Sequence, residues 1–394
     1  MKILFLNWNG YGNIDIIEAI NRMQAGGKNI DLCVTDYDAH IPRYDEEFCS
    51  GFVNKIKEVD PDFVLSFNYF PIVSKACHEA GVKYASWVYD NPAVSLYSYT
   101  MINSCNYIFL FDSQMYETFA REGIKTVHYL PLASATYRYD KIIQTKEDVK
   151  KWGGDVSFVG GMYRSKGNFY DRIKDKISDY TKGYIEGLMK SQMELDGINI
   201  IEKNLPDAVL NDLVKNLGLK PNHDGVESYR YLYSNYVINR KITAIERGEI
   251  LEAIGKKYTV NLFTDEKDYS PKGVINKGMV DYYEEMPLIF KTSDINLNIT
   301  LRSIQRGIPL RVMDILGCEG FLLTNYQPDM LSVFEPGKDF VYYESRQDLM
   351  EKIGYFLKNS DERRKIALRG YEKVKENHTY EIRLEEIFSI VMGK

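Results

Sequence analysis

With 394 residues, 44% of them hydrophobic, the chain exceeds one ordinary core and suits two domains. A formal charge of -6 excludes a general affinity for nucleic acid or anionic membranes, so any basic patch must be local. The five cysteines, Cys33, Cys49, Cys77, Cys105 and Cys318, are scattered without metal-ligand spacing and read as free thiols in a reducing compartment.

The chain opens "MKILFLNWNGYGN". Its apolar run is too short for a secretory signal, and nothing approaches the roughly eighteen apolar residues of a membrane span, so the expectation is a cytoplasmic protein. Short apolar runs then alternate with amphipathic stretches. "KILFLN", "IDLCVTD", "FVLSF", "YASWVYD", "YIFLFD" and "TVHYLPLA" predict strands, with helices at "DIIEAINRM", "EEFCSGFVNKIKEV", "PIVSKACHEAG" and "SQMYETFAREG" between them. Strands apolar on both faces and separated by helices imply a parallel sheet covered on both sides, a Rossmann-like half. This is a first domain over residues 1–150, with a linker at "KIIQTKEDVKKWGGD".

The second domain, residues 151–379, starts at "DVSFVGG". A helical insert over about residues 168–257 includes "YDRIKDKISDY", "KGYIEGLMKSQMEL" and "AVLNDLVKNLG". Strands resume at "YTVNLFT", "VINKGMV", "INLNIT", "FLLTN" and "FVYY". The chain ends in helices, the last over residues 380–394. The fold class is therefore α/β: two Rossmann-like domains facing across a cleft, with a helical insert in the second. Ligands of open α/β sheets sit beyond the carboxyl ends of the strands, so chemistry is sought in the loops that follow them.

In the first domain, Asn9, Gly10 and Gly12 give a flexible, amide-rich turn that either simply closes strand onto helix or lines the acceptor side of the cleft. The third glycine of a dinucleotide fingerprint is absent, since Asp15 stands there. "SWVYDNPA" ends a strand with Asp90, which is either a turn or cap residue or a general base for an acceptor hydroxyl. Asp112 and Ser113 read as a helix cap, and His128 and His378 as structural. No His, Cys and carboxylate cluster suggests a metal.

In the second domain, "FVGGMYRSKGN" combines Gly160 and Gly161 with Arg164 and Lys166, a pattern for a phosphate nest. The stretch "LNITLRSIQRGIPLRVMDILGCEGFLLTN" poses a question of charge. Arg302, Arg306 and Arg311 crowd the start of a helix, where the macrodipole disfavours cations. The placement becomes favourable when a dianion binds there, and the planar guanidinium suits phosphate oxygens. The arginines are accordingly expected to hold a pyrophosphate, with Asp314 accepting from sugar hydroxyls.

Taken together, these motifs resemble the CgeB-like (spore maturation protein) family of bacterial glycosyltransferases, with GT-B architecture. The resemblance is carried by "INLNIT", "GIPLRVMDILGCEGFLLTN", "DFVYYES", "GYEKV" and "HTYEIR" in the second half, and by "WVYDNP", "YLPLA" and "DVSFVGG" before it. It implies a nucleotide-sugar donor on the second domain, an acceptor on the first, no metal or other cofactor, and a final helix that packs back on the first domain. Related retaining enzymes carry two glutamates seven residues apart. Arg306 and Asp314 occupy those positions, so the stereochemical course does not carry over. The expected function is a hexosyltransferase-like enzyme moving a sugar to a hydroxyl of a glycan, protein or small molecule. Gly160, Gly161, Arg164, Lys166, Asn298, Thr300, Arg302, Arg311 and Asp314 would hold the donor. The alternatives are a non-catalytic nucleotide-sugar binder and a nucleotide-sugar epimerase.

Overall fold

The computed structural model describes residues 1–165 and 168–393. Two compact units emerge. The first comprises Met1–Ala133, Pro221–Glu227 and the stretch beginning at His378; the second comprises Ser134–Lys220 and Ser228–Asn377.

The first unit holds β1 (Lys2–Asn7), β2 (Asp31–Asp36), β3 (Phe63–Phe67), β4 (Lys83–Val88), β5 (Asn106–Leu110) and β6 (Val127–Tyr129). All pair in parallel in the order β2-β1-β3-β4-β5-β6. Every residue of β3 is buried, which is why it reads as an unbroken apolar run. Its one polar side chain, Ser66, is satisfied by the Asn68 carbonyl at 2.6 Å and the Tyr84 hydroxyl at 2.6 Å. The chain enters at β1, lays β2 on one side and β3 on the other. That reversal places the loops after β1 and β3 at a topological switch point.

Helix Tyr380–Met392 completes this unit. Glu381 accepts from Arg22 Nε at 2.7 Å, Lys83 Nζ donates to the Val391 carbonyl at 2.6 Å, and the Tyr380 ring meets Trp87 edge-on at 5.8 Å. Gly12 opens helix Asn13–Ala25 at φ 82°.

The second unit holds β7 (Gly154–Val159), β8 (Val260–Phe263), β9 (Val274–Asn276), β10 (Ser293–Asn298), β11 (Leu322–Asn325) and β12 (Val341–Tyr343). They pair in parallel in the order β12-β11-β10-β7-β8-β9. Here the switch point lies between β7 and β10. Between β7 and β8 the chain forms helices Asp179–Met193 and Asp207–Leu217, then one helical run from Tyr229 to Gly255 with a π-helical segment at Tyr233–Ile238.

The units divide after Ala133 rather than at residue 150. The physical reason is helix Thr136–Asp140, whose fully buried Tyr139 donates to Asp314 at 2.6 Å within the second unit. The expected insert is also interrupted. Residues 221–227 belong to the first unit, where the Val226 amide donates to the Tyr97 carbonyl at 2.9 Å and Arg43 pairs with Asp224 at 3.5 Å. Among the described residues no helix is long and apolar enough to cross a membrane.

A Cβ at Gly12 would stand 2.6 Å from the Tyr380 hydroxyl and 2.7 Å from Phe67, whereas Gly27, also at positive φ, has no atom within 4 Å. Gly27→Ala is therefore expected to cost about 1 kcal/mol, for backbone strain alone. Gly12→Ala adds a collision and should cost about 2 kcal/mol or more, read as a lower denaturant midpoint of tryptophan fluorescence.

Candidate functional site

The switch point of the second unit carries two arginines. Arg311 lies in the first turn of helix Leu310–Gly317, capped by the extended backbone of Pro309. Arg247 comes from the helical run that precedes β8. Their guanidinium carbons lie 5.0 and 5.1 Å from the centroid of the fully buried Phe158 ring at the end of β7, a cation–π arrangement for both.

Each is held by neutral groups. Arg311 Nη1 donates to Asn298 Oδ1 at 2.9 Å. The Asn298 amide is fixed because its nitrogen donates to Thr300 Oγ1 at 3.0 Å and Thr324 Oγ1 at 2.9 Å. Arg247 donates to the Ile299 carbonyl from Nε at 3.1 Å and Nη2 at 2.6 Å, and its Nη1 bonds the Gly161 carbonyl. Neither guanidinium forms an ion pair among the described residues. Burial, then the neighbouring Arg247, pushes Arg311 down to about 9. Burial likewise lowers Arg247. Arg311 remains a cation at neutral pH, held close to Arg247, and neither has an ion-pair partner among the described residues. An anion entering here would relieve their repulsion and their desolvation.

Gly160 makes the arrangement possible. It sits at φ +151°, and a Cβ there would stand 2.3 Å from Arg311 Nη2. The two adjacent glycines thus do different work: Gly160 leaves room for Arg311, and Gly161 turns its carbonyl to Arg247. That use of Gly161 departs from the expected nest, whose phosphate would be held by backbone N–H groups. A 3-10 turn at Tyr170–Arg172, not an α-helix, follows the loop.

Several expected donor ligands are committed to other partners. Asn298 and Thr300 are buried, and their hydrogen bonds go to Arg311, Thr324, Asn325 and each other, so they position Arg311 rather than reach a sugar. Asp314 is buried and accepts from Tyr139 at 2.6 Å and Tyr282 at 3.2 Å, two tyrosine hydroxyls in place of the expected sugar hydroxyls. Arg302 is neutralised. Its Nε donates to Glu246 Oε2 at 2.6 Å and its Nη1 to Asp196 Oδ1 at 2.7 Å and the Leu195 carbonyl at 2.7 Å. Burial opposes its charge, but the two carboxylates outweigh that and hold its pKa above the ordinary value. Burial in turn raises both carboxylates. Arg306 is half-buried, and its carbonyl accepts the Asp329 amide at 3.1 Å. Arg164 is exposed over Tyr269 at 4.5 Å, its amide donating to Glu266 at 2.8 Å, on the side of the loop after β8. Lys166 lies outside the described residues.

The first unit's switch point gathers the loop after β1 and Asn68–Phe70. Asn9 is exposed at φ 57°. Gly10 lies under the Trp8 ring, where a Cβ would stand 2.3 Å from Cζ2, so Gly10 and Gly12 serve close packing. Asp90 is exposed at the end of β4, and Asn68 Nδ2 donates to its Oδ2 at 2.7 Å. The adjoining Asn91–Pro92 bond is cis. Asp112 caps helix Ser113–Arg121 through the Gln114 amide at 2.9 Å. Among the described residues no cluster of His, Cys, Asp and Glu could hold a metal ion.

Arg247 escaped the sequence reading, although a signal existed. At helical spacing it falls on the apolar stripe of Ile242, Ile250, Leu251 and Ile254, where a charge stands out. Tyr139 and Tyr282 left no such mark.

Residues 246–389 match a family model described as "Glycosyl transferase-like". No curated protein matches. Among solved structures, Anabaena Alr3699/HepE in complex with UDP-glucose is similar at TM-score 0.58 and 11% identity, covering 100% of both chains. A glycosyltransferase from Rickettsia africae gives 0.54 and 11%, covering 99% of this chain and 98% of that one. Sucrose-phosphate synthase from Thermosynechococcus elongatus gives 0.52 and 10%, covering 100% and 99%. At these identities the likeness speaks to the fold. It is the α/β fold with two Rossmann-like parallel sheets, of the GT-B class, as the sequence implied.

Asn298→Asp would place a carboxylate against Arg311 while the two threonine hydroxyls turn to donate. The expected result is a thermal midpoint equal to or above the parent's and at least a tenfold loss of affinity for inorganic pyrophosphate by calorimetry. Arg302→Met would leave Glu246 and Asp196 buried without their cation, and should destabilise the protein by about 3–5 kcal/mol in denaturant titration.

Proposed function

We propose that the protein is a cytoplasmic, metal-independent glycosyltransferase that moves a sugar from a nucleoside-diphosphate sugar to an acceptor hydroxyl, and that it is related to the CgeB-like family. The observation that carries this reading is the Arg247–Arg311 pair, one buried and one half-buried, with no ion-pair partner among the described residues, at the end of β7 and β10. A diphosphate supplies the charge that they lack. The support from relatives is the glycosyl transferase-like match over residues 246–389 and the capture of Anabaena HepE with UDP-glucose.

In this mechanism the acceptor oxygen attacks the anomeric carbon, the bond from that carbon to the diphosphate oxygen breaks, and the hydroxyl proton is lost. Negative charge grows on the departing diphosphate. Arg247 and Arg311 meet it in place, since Asn298, Ile299, Gly161 and Phe158 already fix both guanidiniums. Preorganised charge of this kind lowers the barrier without reorganisation at the moment of reaction. Two fixed cations supply what a divalent metal would otherwise contribute. Asp90 is assigned the acceptor proton: it is exposed, and Asn68 orients one of its oxygens. Arg164 and Lys166 remain assigned to the outer part of the donor, and Asn9 to the acceptor.

The test is release of nucleoside diphosphate from a panel of nucleotide-sugars, with and without candidate acceptors. Release that depends on the acceptor is the expected result. Arg311→Ala should then cut kcat/KM by about 100-fold or more. Unchanged kinetics would remove Arg311 from the mechanism, and with it the reading.

A further inference from the structure

Two turns before Arg247, on the same face of the helical run, stands Arg240, displaced along the axis by about 10 Å. It is half-buried, just past the π-helical segment, and its guanidinium carbon lies 4.9 Å from the Tyr236 ring centroid and 5.9 Å from that of Tyr163. Tyr163 also meets Arg247 at 5.2 Å, so one ring links the two arginines. Tyr163 adopts φ 56°, a left-handed conformation that costs a tyrosine of order 1 kcal/mol and that the flanking guanidiniums help to offset. Arg240 Nε is completely buried and has no hydrogen-bond partner, and Arg240 makes no ion pair among the described residues. In a chain with 56 acidic and 50 basic residues, three arginines thus share Phe158 and Tyr163 and none forms an ion pair among the described residues; Asp314 and Glu246 act on Arg311 and Arg247 only through space, and neither offsets Arg240.

A diphosphate accounts for two of these cations. The nucleoside beyond it is neutral, so a further anion on the donor must belong to the sugar. Resting on the nucleotide-sugar reading above, we infer that the transferred sugar carries a carboxylate, as a uronic acid does, and that Arg240 binds it. The planar fork of arginine matches a carboxylate in two parallel hydrogen bonds, and Arg240 Nε is uncommitted. Tyr163 stands between this subsite and the diphosphate pair, and sets their spacing.

The experiment is calorimetric titration of the full chain with two donor pairs: UDP-glucose with UDP-glucuronic acid, and GDP-mannose with GDP-mannuronic acid. The expected result is at least a tenfold preference for the acidic member of whichever pair binds. Arg240→Gln should abolish that preference and leave affinity for the neutral member unchanged, while Arg240→Lys keeps part of it. Arg311→Gln should weaken both members together. Absence of a preference in the parent protein, or equal weakening of both members by Arg240→Gln, overturns the inference, and an acidic acceptor then becomes the partner of Arg240. If no donor binds, or if Arg311→Gln changes nothing, the nucleotide-sugar reading itself fails.

Discussion

The candidate site depends on one constraint: two like charges are held beside a single buried aromatic ring, and neither is in an ion pair among the described residues. Folding does not favour this arrangement for its own sake, because each buried guanidinium gives up hydration and repels the other. It persists because the surroundings leave few alternatives. Phe158 is fixed in β7, Asn298 is fixed by two threonine hydroxyls, and the Ile299 and Gly161 carbonyls hold Arg247 from two strand ends. Stability is spent locally, and the rest of the sheet supplies it.

The contrast with Arg302 shows how finely the same residue type is used. Arg302 lies a few residues from the site yet is matched to Glu246 and Asp196, and it joins the end of helix Asp179–Met193 to the helical run that carries Arg247. One arginine is therefore paired within the scaffold while another has no ion-pair partner among the described residues. Glu246 and Arg247 are chain neighbours with opposite assignments: the first belongs to the scaffold, the second to the site.

Much of the architecture was legible because fully buried parallel strands are short apolar runs with little else in them. Eleven of the twelve strands overlap the segments read as strands, and the twelfth, β7, falls on the stretch that opens the second domain. Arg311 stood out because a cation in the first turn of a helix contradicts local electrostatics. Its partners were harder to read. Asn298 looked like a sugar ligand because nothing in its neighbourhood reveals that Thr324, from the next strand, accepts a hydrogen bond from its amide nitrogen. Asp314 looked accessible because the tyrosines that surround it come from distant segments. Sequence displays a charge but not the group that satisfies it, and satisfaction decides whether the charge is available for chemistry.

The membership of the first unit has a consequence for biosynthesis. Its sheet is complete by Tyr129, but residues 221–227 and helix Tyr380–Met392 also belong to it. That helix places Tyr380 against Trp87 and Phe67 and occupies the space Gly12 leaves open. Domains commonly fold as they leave the ribosome, N-terminal first. This unit cannot finish on that schedule: a helix translated only after the whole second unit closes it, and the early sheet must wait, part of its surface bare, until that helix emerges.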